Sequence, residues 1–274
     1  IRDIGVTGVQ TCALPICERD TEEEVVNILR ICPEALRRAP RMFSFISSKS
    51  MAFIPKIAQL RMELLAETED LNIHEERGGL LTRTFGPNYN ALKCLAKTNY
   101  VQEDAVLFDE RSTAVFHKLK EMGLFQKEDI QQNDLMKFLL FNTRRHFPEE
   151  RFRFFSNQDP EALRAGSDRK FPLFWAATRS SIKGFQIVLM AGIRLLPKEE
   201  GIQLLFRSCD YPRDPRSPFT EACHMYGREE TIKAIESVIS DYCLSDHRCI
   251  DTTQAMLSAA MDQNVTLDGI YYLL

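Results

Sequence analysis

The chain has 274 residues, 44% of them apolar and 27% charged, with 35 basic side chains against 39 acidic ones and a net charge of −4. That apolar content at low net charge excludes a disordered chain, the evenly spread charge excludes a membrane-embedded one, and 12 Gly with 12 Pro exclude a fibrous repeat. A soluble globular protein is the class that remains.

Residues Ile1 to Ile16 resemble the conceptual translation of a sequencing adapter, so the native sequence is expected to begin near Cys17. Thr21-Glu22-Glu23-Glu24 then has the form of a capping box, and Val25, Val26, Ile28, Leu29 and Cys32 make one apolar face that Pro33 ends. Further helical stripes run through Phe53, Ile54, Ile57, Leu60 and Leu64, through Asn90 to Lys97, and through Val115, Phe116, Leu119 and Met122. Leu135, Phe138, Leu139 and Asn142 follow, and then Phe152 to Phe155. The C-terminal half continues with Leu173, Ala176 and Ala177, with Phe185, Val188 and Leu189, with Phe219, Ala222 and Cys223, and with Ile232, Ile235 and Val238. Strand-like alternation is nearly absent, so the spacing predicts an all-α chain of short helices. The run Gly269 to Leu274 stops inside an apolar pattern, and the chain is expected to be a fragment at both ends.

No apolar stretch approaches the roughly 20 residues a transmembrane helix needs; Leu135 to Phe141 contains Lys137. The scattered Cys32, Cys94, Cys209, Cys223, Cys243 and Cys249 lack the dense spacing of a secreted disulfide scaffold, which points to an intracellular protein, cytoplasmic or nuclear.

The helices echo one another. Pro33-Glu-Ala-Leu-Arg37 and Pro160-Glu-Ala-Leu-Arg164 are identical, and Leu119-Lys-Glu-Met-Gly-Leu124 resembles Leu189-Met-Ala-Gly-Ile193. Such repetition means that each helix pair is too small to bury its own apolar face and stacks on the next, giving a solenoid with a continuous core.

Two segments, Phe171-Pro-Leu-Phe-Trp-Ala-Ala177 and Ser217-Pro-Phe-Thr-Glu-Ala-Cys223, resemble the ankyrin signature T-P-L-H-x-A-A. In that signature Pro opens the first helix, where its missing N–H costs nothing. Phe185 to Ile193 is similar to the second ankyrin helix with its glycine cap at Gly192, and the stretch from Gly227 to Val238 repeats the arrangement. Both units lack the ankyrin His, and Pro172 to Pro218 spans 46 residues where an ankyrin unit takes about 33, which places an insertion at Leu195 to Arg213. Together with Phe147-Pro-Glu-Glu-Arg-Phe-Arg-Phe-Phe155 and the Lys198 to Phe206 run, these segments are similar to a family of divergent ankyrin-like proteins of unicellular algae, most clearly from Gln131 onward. The resemblance implies an irregular ankyrin-like α-solenoid over residues 17–274. It also implies a concave protein-binding face lined by first helices and fingers, with Trp175, Arg179, Tyr211, Arg213 and Arg216 as contact residues, or with Trp175 buried between units.

No phosphate loop, dinucleotide fingerprint, zincin, nucleophile elbow or EF-hand motif occurs, and no catalytic residue, metal or cofactor is assigned. Cys223, His224, Cys243, His247 and Cys249 have the chemistry of a zinc site without a standard spacing, and packed or surface thiols are the preferred reading. Arg144, Arg145, Arg151 and Arg153 among Phe147, Phe152, Phe154 and Phe155 form a candidate basic aromatic surface for single-stranded RNA, against the preferred reading of Phe at helical spacing as core. The expected function is a monomeric, non-catalytic scaffold binding another protein. The alternatives are an interaction segment of a larger enzyme and an RNA-binding solenoid.

Overall fold

Helix starts in this chain are set by local chemistry. In the computed structural model, which describes residues 21–31, 50–65, 90–97, 105–141, 143–166, 170–197, 200–209 and 216–246, Thr21 opens helix α1 (Glu22–Ile31). Its hydroxyl accepts the Glu24 backbone N–H at 3.3 Å, while the Glu24 carboxylate accepts the Thr21 N–H at 2.8 Å. Those hydrogen bonds hold the Glu24 carboxyl below its ordinary range. The expected capping box is therefore present. Ile1 to Ile16, Cys17, Pro33 to Arg37 and the C-terminal run from Gly269 lie outside the described residues.

The chain divides into two compact units. One lies within Ile1–Leu95 and Val115–Leu124, the other within Ala96–Ala114 and Phe125–Leu274. Within the first, a 3-10 turn (Ser50–Phe53) leads directly into α2 (Ile54–Leu65), against which α1 packs. Val25 and Leu29 of α1 are buried, whereas Ile28, expected on that apolar face, is exposed. Helix α3 (Ala91–Ala96) starts where the Asn90 side chain accepts the Lys93 N–H at 2.8 Å; α4 (Ala105–Glu121) is divided, Ala105–Ala114 belonging to the second unit and its remainder to the first. The end of α4 is a Schellman turn: Leu124 N–H reaches the Leu119 carbonyl at 2.8 Å and Gly123 N–H that of Lys120 at 2.9 Å. Gly123 sits at φ 71°, the left-handed conformation this motif demands.

The second unit holds α5 (Glu128–Gln132), α6 (Leu135–Leu140), α7 (Glu149–Gln158), a 3-10 turn (Pro160–Leu163), α8 (Pro172–Arg179), α9 (Ile182–Leu195), α10 (Glu200–Gln203), α11 (Pro218–Tyr226) and α12 (Arg228–Asp246). Pro172 and Pro218 each occupy the first helical turn, as their sequence positions predict. Ser217 completes a capping box with Thr220 at 3.0 and 3.2 Å. Ser181 caps α9 by accepting the Gly184 N–H at 3.2 Å. Gly227, at φ 90° and ψ 148°, turns α11 into α12 within one residue.

Helix α6 packs on α8 and α8 on α11, while α7 packs on α9 and α9 on α12. Tyr226 at the end of α11 ties two of these helices together, its hydroxyl donating to the carbonyls of Ala176 and Ser180 at 3.1 and 3.0 Å. Within the stretch read as an insertion, the described residues 200–209 form α10 and a following turn, which bury Ile202, Leu204, Leu205 and Phe206, the last with its ring 5.5 Å from that of Phe219. Among the described residues there is no strand, and an isolated antiparallel bridge joins Cys209 to Arg216. The all-α expectation holds.

Gly192 departs from expectation. It does not cap α9, which runs on to Leu195; it is buried against α10, where a Cβ on Gly201 would lie 2.2 Å from the Gly192 carbonyl carbon. The Leu-x-x-Met-Gly and Leu-Met-Ala-Gly segments therefore end differently, one in a left-handed cap and the other in a close helix crossing.

Arg151 is the second departure. It is fully buried, with Nε 2.6 Å from Asp109 Oδ1, Nη1 3.0 Å from the Ala96 carbonyl, and its guanidinium 5.1 Å from the Phe108 ring centre. Asp109 also accepts the backbone N–H groups of Glu150 at 2.9 Å and Arg151 at 3.3 Å. Pro148 precedes α7 and brings no side-chain acceptor, so a carboxylate from α4 caps that helix across 41 residues. Burial pulls the Arg151 pKa down and the Asp109 charge opposes it, which leaves a charged, paired guanidinium.

Candidate functional site

Lys137 lies on α6 and Phe141 just beyond its end, where the backbone turns extended, while Trp175 and Arg179 lie one turn apart on one face of α8. The two pairs meet crosswise. The Lys137 ammonium lies 5.8 Å from the Trp175 ring centre, the Arg179 guanidinium 5.4 Å from that of Phe141, and the two rings meet edge to face at 6.3 Å. Lys170, just before α8, places a second ammonium 5.3 Å from the Trp175 ring and 5.5 Å from the Phe174 ring. Each such cation–ring contact contributes about 0.5–1 kcal/mol where water has access and more where it is excluded.

Trp175 is 8% exposed, and its indole Nε1–H has no acceptor among the described residues. It lines a cavity of about 320 Å³ walled by α5, α6 and the chain between the Pro160–Leu163 turn and α8, including Gln131, Asp134, Lys137, Gly166 and Lys170. Asp134, the residue before α6, stands at φ 52°, a left-handed conformation a non-glycine residue adopts at some cost. Gln131 is held by the Asp159 carboxylate, to which its Nε2 donates at 2.6 Å. Among the described residues the wall carries the buried Trp175 donor, the Lys137 and Lys170 ammonium groups and the Asp134 carboxylate.

Beside it, Thr143 N–H donates to the Arg179 carbonyl at 2.9 Å and Arg144 Nη2 to the Thr178 carbonyl at 3.4 Å, which fixes the chain after α6 against the end of α8. Phe141, Arg144 and Arg179 are exposed there. Sequence reasoning named Trp175 and Arg179 and missed Lys137, Phe141 and Lys170. The available signal was the four-residue spacing of Lys137 and Phe141, the same as that of Trp175 and Arg179.

The other expected contact residues do not join this cluster. Arg216 lies in the extended bridge before α11 and pairs with Glu221 at 2.9 Å. Tyr211 and Arg213 lie outside the described residues. Of the candidate RNA surface, Arg151, Phe152, Phe154 and Phe155 are buried, with Phe125 stacked on Phe155 at 6.2 Å, so the aromatic faces that would stack on bases belong to the core. Among the described residues no three His, Cys, Asp or Glu side chains converge as metal ligands, and His247 and Cys249 of the zinc constellation lie outside them. Cys209 is buried and its thiol is pushed up to about 12, mainly by burial.

A second groove, about 450 Å³, runs over α7, α9 and α12 between the apolar Ile187, Met190 and Val238, with Arg153, Lys183 and Arg194 set against Glu149 and Asp241. Its charges nearly cancel. No described helix is long and apolar enough to cross a membrane. No protein-family model matches the chain, and no curated protein or solved structure is significantly similar to it.

Proposed function

We propose that the chain is a non-catalytic scaffold of stacked helical hairpins, a divergent relative of ankyrin arrays, that binds another protein through the face of its first helices. The observation that carries this reading is the packing order: α6, α8 and α11 follow one another in contact, and so do α7, α9 and α12. That order is the one stacked hairpins would give, each sharing its core with the next, which is the physical basis of a repeat array. Such arrays bind through surface side chains, and Trp and Arg dominate interface energies. Trp175, Phe141 and Arg179 concentrate those residue types on or just past the first helices. We infer an intracellular setting from the scattered spacing of the cysteines along the chain.

The test is capture of a partner from lysate by the tagged chain, with the partner identified and then purified. Phe141→Ala with Arg179→Glu should reduce binding of that purified partner by about a hundredfold, whereas Lys183→Ala with Arg194→Ala on the opposite groove should leave it unchanged. The reverse pattern would assign binding to the second helices and refute the proposed face.

A further inference from the structure

We propose that the groove over α7, α9 and α12 is a second docking site, which takes an amphipathic helix of another protein. Its floor comes from one face of α9, where Ile187, Met190, Ala191 and Leu195 stand at i, i+3, i+4 and i+8 and are half-exposed. Phe152 of α7 and Val238 of α12 flank that floor. Helix α12 runs alongside α9 in the same direction, since Gln186 Nε2 donates to the Ala234 carbonyl at 3.4 Å toward one end and Arg194 Nη2 to the Ser245 hydroxyl at 3.0 Å toward the other. From Lys183 to Leu195 the groove therefore follows α9 for about three turns, or roughly 18 Å. An apolar trough of that length, with a volume of about 450 Å³, matches the apolar stripe of a partner helix whose i, i+3, i+4 and i+7 side chains descend between its walls.

The charges of the rim select the class of partner. Arg153 pairs with Glu149 and Arg194 is turned to Ser245, while Lys183 and Asp241 have no ion-pair partner among the described residues. Cations and carboxylates so nearly balanced do not concentrate a polyanion, which sets nucleic acid and an anionic lipid surface aside. Lys183 stands at the start of α9, and Asp241 stands one turn before Ser245 on α12. These two uncommitted charges of opposite sign lie about two turns apart along the groove, with the apolar floor between them. They are complemented by a helix that carries a carboxylate toward one end of its apolar stripe and an ammonium toward the other. The site is separate from the α6–α8 face and stands whether or not that face binds. With both, one chain would hold two proteins at once.

The probe is a fluorescein-labelled, alanine-based peptide of about 15 residues, with leucines at i, i+3, i+4 and i+7 and a glutamate and a lysine about two turns apart at the ends of that stripe. Fluorescence anisotropy should show saturable binding, and a peptide of the same composition with its leucines spread around the helix should bind about tenfold or more weakly. Met190→Glu should weaken binding by about tenfold or more, because it sets a carboxylate in the apolar floor. Lys183→Glu should weaken it by about twofold to fivefold, and replacing the peptide's glutamate by lysine should restore it. Arg179→Gln, on the other face, should leave it unchanged. A flat titration overturns the proposal, and so does equal binding of the peptide with spread leucines. Full displacement of the probe by an equal concentration of dodecanoate overturns it in favour of a lipid ligand. Concentration-dependent dimerisation that Met190→Glu abolishes overturns it in favour of a second copy of this chain. Thermal melts accompany each variant; if Met190→Glu melts early, the exposed Ser237→Arg narrows the groove in its place and should weaken binding in the same direction.

Discussion

Removing Asp109 should destabilise the second unit more than any surface change, because one carboxylate serves three donors. Asp109→Ala strips the acceptor from Arg151 Nε at 2.6 Å and from two N-terminal amides of α7 at 2.9 and 3.3 Å. Leaving a buried guanidinium without its counter-charge costs about 3–5 kcal/mol. Loss of the helix cap adds about 1 kcal/mol. With a urea slope of about 2 kcal/mol per molar, the unfolding midpoint should fall by roughly 2–3 M. Arg151→Met alone should cost less, since it leaves a carboxylate that still caps α7. Asp109→Leu with Arg151→Met should recover part of the loss, because replacing a whole buried pair with apolar side chains is often near neutral. Equilibrium urea unfolding followed by far-ultraviolet circular dichroism measures all three. An Asp109→Ala cost within about 0.5 kcal/mol, the range of an ordinary surface substitution, would refute the burial and capping argument.

Other predictions rest on separate features. Gly201→Ala should destabilise by about 1–3 kcal/mol, because its new Cβ would strike the Gly192 backbone at 2.2 Å. Gly192→Ala, whose Cβ would meet Gly201 at an ordinary 3.5 Å, should be tolerated; thermal melts that rank them the other way would contradict the α9–α10 crossing. The Tyr226 phenol is pushed up to about 12, mainly by burial, from an ordinary value near 10. Its contribution to stability should be whole below pH ~10 and fall from there to about pH 12 as the unfolded chain ionises first, and Tyr226→Phe should flatten that part of the alkaline stability profile. Cys209, with its thiol at about 12, should resist alkylation at pH 8 in the native protein and react in urea, while Cys243 reacts in both, as peptide mapping by mass spectrometry would show.

Features encoded within one helical turn were legible in the sequence. The Thr21 to Glu24 capping box and the Pro172 and Pro218 helix starts depend on residues at most three positions apart, so the chain declares them locally. The features that escaped were tertiary. Arg151 sits among Arg and Glu residues that read as a solvated face, and only Asp109, 42 residues earlier, explains why it is internal. Gly123 and Gly192 follow similar Leu and Met patterns, yet the approach of Gly201 keeps the second inside a helix. At the candidate site, Trp175 and Arg179 stood out by residue type, but Lys137 lies on another helix, Phe141 just past its end and Lys170 before α8, so only packing shows that they share a cluster.

The central claim is that α6 and α8 together form a protein-binding face, and backbone amide exchange of the chain with and without its purified partner tests it most directly. The account predicts slowed exchange at the ends of α6 and α8, around Phe141 to Arg144 and around Trp175 to Arg179, with α9 and α12 unchanged. Protection confined to α7, α9 and α12, the helices of the opposite groove, would contradict it.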